Sequence, residues 1–190
     1  MEENFSASLP FEDIGGRVWV DFANAEVLAQ RNIADVFASE AIFLGWLQRH
    51  GIQAPISLGD LALARELRTH LGGTLPRLAR GEPLPEATLK LVQRVLSEQS
   101  RWILLTGAAD GYRVQEVRRV ESLADALGPI VESFAETLAH EDLRRLRKCE
   151  SESCDLYFLD DSRNGRRRWC SMAHCGNRSK AARFQARNRA

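Results

Sequence analysis

Cys149-Glu150-Ser151-Glu152-Ser153-Cys154 and Cys170-Ser171-Met172-Ala173-His174-Cys175 are two matched Cys-x4-Cys pairs set fifteen residues apart, and they hold every cysteine of the 190-residue chain. Four thiolates suit a soft, tetrahedral ion, and two such pairs can close its whole coordination shell. The pattern therefore predicts one structural zinc ion on Cys149, Cys154, Cys170 and Cys175, with no position left open for a reacting water. His174, beside Cys175, is the rival ligand, and the better-spaced thiolate makes it a surface or supporting residue instead. No Cys-x-x-Cys pair marks a redox or nucleophilic site.

Working outward, Leu156-Tyr157-Phe158-Leu159 and Arg166-Arg167-Arg168-Trp169 flank Asn164-Gly165, which reads as a short hairpin with one aromatic and one basic arm. After Cys175 the chain reads as a helix to about Arg189. Lys180, Arg183 and Arg187 share a stripe on it, and Ala181 and Phe184 form another that can pack back on the metal core. The net charge of zero conceals a polarity. Residues 1 to 140 carry 13 basic and 19 acidic side chains, residues 141 to 190 carry 13 and 7, and from Ser162 onward there are nine Arg or Lys and no acid. Attraction to a polyanion is thus local to the C-terminus.

Upstream, Gly15-Gly16 and the β-prone run Arg17 to Phe22 read as a short strand, with Asp21 or Asn24 placed to cap a helix after it. Helices are expected over Ala41 to Arg49, from a Ser57 cap to about Leu71 where Gly72-Gly73 ends or interrupts it, and around Leu89 to Gln99, with Pro76 opening a further segment. Trp102 to Leu105 and Tyr112 to Arg118, joined through Asp110-Gly111, predict a second hairpin. A helical stripe from Leu123 to Leu146, kinked at Gly128-Pro129, then leads into Cys149. The fold class is α+β: a mostly helical N-terminal domain with a short strand and hairpin, residues 1–147, followed by a small four-cysteine zinc finger of β-hairpin plus C-terminal helix, residues 148–190. The apolar stripes suggest that the first domain folds without the finger.

The stretch Arg168-Trp169-Cys170-Ser171-Met172-Ala173-His174-Cys175-Gly176-Asn177-Arg178 resembles the zinc finger named for its Cys-Gly-Asn-Arg signature. That finger is found at the C-terminus of bacterial proteins regarded as stress-induced transcription regulators. Asp160-Asp161-Ser162-Arg163-Asn164 is similar to the family's Asp-x-Ser-Arg-Asn stretch, and Val20-Asp21-Phe22-Ala23-Asn24 to the Leu-Asp-Phe-x-Asn opening of its helical domain. The resemblance implies a DNA-binding transcription regulator acting in stress response.

On that reading Arg163, Arg166, Arg167, Arg168, Lys180, Arg183 and Arg187 meet phosphates, and Asn177 and Arg178 reach base edges. The alternative for the last two is a folding role, with Asn177 capping the helix and Arg178 paired to Asp160 or Asp161. Double-stranded DNA is the expected partner, with a homodimer and a small-molecule effector on the N-terminal domain as further candidates. Trp19, Trp46 and Trp102 either line a pocket or pack in the core. RNA binding and a zinc-stapled interaction adaptor are the runner-up functions. No enzyme is expected, since no Ser-His-Asp, phosphate-loop or His-Glu-x-x-His pattern occurs. No membrane span or secretory leader is visible, which points to the cytoplasm.

Overall fold

The computed structural model describes residues 14–30, 35–54 and 57–188. Helices α1 (Val18–Gln30), α2 (Glu40–Arg49), α3 (Ala62–Ala79) and α4 (Glu86–Ser97) precede a hairpin of β1 (Arg101–Ala108) and β2 (Gly111–Arg118). Helix α5 (Leu123–His140), a short 3-10 turn, strands β3 (Leu146–Lys148) and β4 (Tyr157–Leu159), and helix α6 (Asn177–Asn188) complete the chain.

The segment expected as a strand at Arg17–Phe22 is instead the start of α1. Trp19, Val20, Phe22, Ala23 and Ala25 are all buried, so the helix is enclosed on most sides and shows no amphipathic period for a sequence reading to find. Trp19 packs edge-on against Phe134 of α5 at 5.0 Å, and its indole N–H donates to the Thr137 hydroxyl at 2.9 Å. Phe22 meets Phe37, Phe43 and Trp46. Trp19 and Trp46 are therefore core residues rather than a pocket lining, whereas Trp102 lies half-exposed on the β1–β2 hairpin.

Neither Asp21 nor Asn24 caps α1. Asp21 accepts from the Ile14 and Gly15 N–H groups at 3.0 and 2.7 Å, folding the entering chain back over the helix start. A Cβ on Gly15 would lie 2.7 Å from Val20 Cβ and 2.9 Å from Asp21 N, so only glycine allows that approach.

Ser39 caps α2, and Gly51, at φ +68, follows its end. Ser57 does not start α3. Glu40 accepts from Leu58 N–H, Asp60 accepts from Ala62 N–H, and the helix begins at Ala62. It then runs through Gly72, Gly73 and Pro76 to Ala79. Each interior glycine costs about 1 kcal/mol and the proline about 3. Buried Leu67, Leu71, Leu75 and Leu78 contribute roughly 1.5–3 kcal/mol apiece and outweigh them. Gly72 also lets α1 come close, since a Cβ there would sit 3.3 Å from Glu26 Cβ. On α4 the buried face is Thr88, Leu91, Val92 and Val95, and Leu89 is exposed.

Helix α5 passes Gly128-Pro129 but stops at His140, so Leu143 and Leu146 belong to the turn and strand beyond it. A capping box opens it: Asp125 N–H donates to Ser122 Oγ at 3.1 Å, and the Asp125 carboxylate accepts from the N–H groups of Ser100, Glu121 and Ser122. Burial pushes this carboxyl up, but the hydrogen bonds outweigh it and hold it below the usual range. A depressed folded value stabilises above the unfolded pKa of about 3.9 and is lost as pH falls through the folded one. Asp125→Asn should therefore cost about 1–3 kcal/mol at pH 7, with the difference from wild type shrinking below about pH 4. Denaturant melts of both proteins across that range check it.

The β3–β4 ladder pairs Leu146 with Leu159, Arg147 with Phe158 and Lys148 with Tyr157. The aromatic arm thus pairs upstream rather than with Arg166–Trp169, as the Asn-Gly turn suggested. A division at residue 147 falls inside β3. Leu146 and Leu159 lie in the same core as the helices, Leu159 N–H donates to Gly15 C=O at 2.8 Å, and Asn24 clasps both backbone groups of Tyr157: its amide donates to Tyr157 C=O at 2.8 Å and its oxygen accepts from Tyr157 N–H at 2.9 Å. These contacts cross that division, and from them we expect one interlocked unit rather than two that fold apart.

Candidate metal centre and nucleic-acid interface

Strand β3 ends just before Cys149, whose N–H donates to Leu156 C=O at 2.9 Å and extends the pairing by one bond. A tight turn brings Cys154 back, with its N–H on Ser151 C=O at 2.9 Å. Glu150 N–H then holds Arg168 C=O at 2.9 Å, delivering Cys170, and a wide π-type turn over Met172–Gly176 delivers Cys175. All four cysteines are buried, and their sulfur atoms lie within 4.8 Å of one another. Cys154 and Cys170 Sγ are 3.7 Å apart, and Cys170 and Cys175 Sγ 3.6 Å. Zinc–sulfur bonds of about 2.3 Å in a tetrahedron put sulfurs about 3.8 Å apart, so the residues fit the ion.

The thiols also fit it electrostatically. The hydrogen bond with Cys170 pulls the Cys154 thiol down to about 5 against burial, helped by the Leu156 N–H and the Cys175 and Cys149 thiols. That bond in turn pushes Cys170 up, with burial and the Cys154 charge adding to it, and burial pushes up Cys175. One thiolate is easy to form here and further ones are not without a cation. His174 is exposed and faces Ser171 Oγ at 3.3 Å, outside the sulfur cluster.

Asp160, fully buried beneath this centre, organises the loop between the cysteine pairs. It accepts from Ser162 N–H and Oγ and from Arg167 N–H, and lies 3.9 Å from Arg147. Arg145 adds bonds to the carbonyls of Asp160 and Ser162 at 3.1 and 3.0 Å. Neither role has a signal in the local sequence beyond the Asp-x-Ser pattern.

The nine candidate nucleic-acid residues divide sharply. Arg167 turns inward, with its guanidinium 4.5 Å over the Phe158 ring and donating to the carbonyls of Ile14, Trp169 and Cys170. It braces the metal site and the N-terminal segment together. Arg168 pairs with Glu150 and lies 5.0 Å over Trp169, though half its side chain stays exposed. Arg163 and Arg166 are exposed at the loop, and neither side chain has an ion-pair partner among the described residues.

Asn177 opens α6, and its amide donates to Ala173 C=O at 3.2 Å. Arg178 donates to Ser153 Oγ at 2.8 Å. A pairing of Arg178 with Asp160 or Asp161 does not form. Lys180 and Arg187 are exposed on α6, and the Arg183 side chain lies outside the described residues. Phe184 is 56% exposed and Ala181 is exposed, so the stripe expected to pack on the metal core instead faces solvent.

This arrangement coincides with two family models. One described as "CGNR zinc finger" matches residues 145–188, and one named ABATE, described as "Putative stress-induced transcription regulator", matches residues 16–141. The second spans well over half of the chain, which belongs to that family. No curated protein is similar enough to count as a relative. The cysteine cluster is the finger's site for one structural zinc ion. Among the described residues no helix is long and apolar enough to cross a membrane.

Proposed function

We propose that the chain is a DNA-binding transcription regulator whose zinc finger presents a cationic loop and helix to duplex DNA. The observation that carries this reading is α6 itself. Its described residues from Lys180 to Asn188 are exposed and its charges are all basic. A helix that buries so little of its surface gains little from packing. Phosphates that neutralise Lys180, Arg187 and the loop residues Arg163 and Arg166 give it a partner. Asn177 and Arg178, at the helix start, are the candidates for base contacts. Zinc holds the loop and helix in register and does no chemistry, because four thiolates leave no open position.

Duplex DNA is favoured over single-stranded RNA by the surroundings of the aromatics. Trp169 carries the Arg168 guanidinium on its ring and is half-buried, as is Tyr157, so neither of these two rings stands open for stacking bases. Operation in the cytoplasm and in stress response follows from the same reading.

The test is duplex binding by the zinc-loaded full chain between about 50 and 200 mM salt. Four phosphate contacts predict a log–log slope of roughly −3.6. Arg166→Ala should lower it by about one unit while zinc content stays at one. Arg167→Ala should instead lose zinc, since its guanidinium braces the site. Asn177→Ala or Arg178→Ala should relax sequence preference by about 1–3 kcal/mol. Salt-insensitive or absent binding would overturn the proposal, and tighter binding to single-stranded RNA would replace it with the RNA reading.

A further inference from the structure

The β1–β2 hairpin stands away from the core. Its register pairs Ile103 with Glu116, Leu105 with Val114 and Gly107 with Tyr112, and directly opposed residues share a face. One face therefore carries Ile103, Leu105, Tyr112 and Val114, which are 72%, 63%, 82% and 70% exposed. The opposite face is less open: Trp102 and Leu104 are each 42% exposed, and Arg119 lies 5.4 Å over the Trp102 ring. Together the four side chains expose on the order of 500 Å² of largely apolar surface, near the upper end of what a monomer shows in one patch.

We propose that this face is a homodimer interface, packed face to face on the same face of a second copy. The charge layout argues for that occupant. At the base of the face Arg118 bridges Glu116 and Glu132, and Arg101 lies 3.6 Å from Glu132. At the other end the face itself carries Gly107 and Tyr112, and the nearby charges Asp110 and Arg113 offset one another 3.5 Å apart, at the turn and on the opposite face. Two copies stacked head to tail about a two-fold axis lay the neutral end of each over the charged base of the other, where the Tyr112 hydroxyl can reach Glu116 or Arg118. Stacked in the same direction, β1 of one copy lies over β2 of the other, which would set Arg118 on the partner's Arg101 and Glu116 on the partner's Ile103. The patch is thus self-complementary in one orientation, as an isologous contact requires. Glu132 holds the hairpin base to α5, so the face is presented in a fixed direction.

Two copies together bury about 1,000 Å², the lower limit for a specific pair, so a weak, concentration-dependent dimer is expected. Such a dimer does not depend on DNA binding. It supplies a way to carry two fingers on one particle, since a single small module buries only about 600–1,000 Å² on DNA.

The test is sedimentation equilibrium of the zinc-loaded full chain without DNA, from about 1 to 200 μM. A reversible monomer–dimer equilibrium is expected. Val114→Lys should raise the dissociation constant at least tenfold, with Ile103→Thr in the same direction. Thr106→Lys, which adds the same charge to the opposite face, should leave it within about twofold. Zinc content and melting temperature of each variant confirm that the body is intact, and Ile103→Thr carries the test if Val114→Lys does not fold. A monomer throughout, a dimer indifferent to Val114→Lys and Ile103→Thr, or equal weakening by Thr106→Lys would overturn the proposal.

Discussion

Removing zinc from the full-length chain, by chelation or by Cys170→Ser, is expected to abolish the cooperative melting transition that the zinc-loaded protein should show near neutral pH. Structural zinc contributes an apparent 10–16 kcal/mol in small fingers, against a total stability of about 5–15 kcal/mol for an ordinary domain. Without the ion, four buried thiols remain within 4.8 Å of one another with only weak bonds between them. Cys149 and Cys154 flank β3 and β4, so the loss would reach Leu146 and Leu159 and through them the helical core. Circular dichroism melts with and without chelator, together with zinc content by elemental analysis, check this. A transition at unchanged temperature in zinc-free protein would refute it.

The second large effect is expected at Asn24. Asn24→Ala removes two hydrogen bonds and leaves the Tyr157 N–H and C=O without that partner. At about 1–3 kcal/mol for each of the two groups left unpaired, the cost is about 2–6 kcal/mol. For a chain of this size that lowers the melting temperature by roughly 4–24 °C. Asn24→Asp is no rescue, because it keeps an acceptor for Tyr157 N–H but loses the donor and places a charge at a buried position. Since the finger docks through Asn24, Asn24→Ala should also weaken zinc retention against a competing chelator, although it touches no cysteine. Unchanged zinc affinity with a lowered melting temperature would show that docking and metal binding are separate.

The metal centre was legible because its chemistry lies in spacing: two Cys-x4-Cys pairs in a cysteine-free background leave little choice of ligand. The β1–β2 hairpin was legible for a similar local reason, an Asp-Gly turn between β-prone arms. Its register places Val114 with Tyr112, Glu116 and Arg118 on one face. Helix α1 was not legible. A helix buried on most sides has no polar face, and its Val-Trp-Val opening reads as a strand until Asp21 is seen to fold the chain back. Gly72, Gly73 and Pro76 misled for the opposite reason, because their local cost is real and is exceeded only by burial that sequence does not display.

Long-range roles were the least accessible. Nothing near Asn24 points to a partner 133 residues away, and nothing within Arg166-Arg167-Arg168 distinguishes the middle arginine, which braces the metal site, from its exposed neighbours. Alternation along the arm shows that the three cannot all face one way, but not which one turns in. Three-residue strands are likewise too short for a period, so the pairing of β4 with β3 emerged only from the fold.

From the contacts that join α1 to β4 we expect the metal finger and the helical domain to form one cooperative unit, so that events in either are felt in the other. Native-state hydrogen exchange in zinc-loaded and chelated protein tests this most directly. The α1 amides from Phe22 to Val27 are expected to lose protection together with residues 146–159 when zinc is removed, and to lose part of it in zinc-loaded Asn24→Ala. Full protection of α1 in the chelated chain, with exchange confined to residues 149–176, would contradict that coupling.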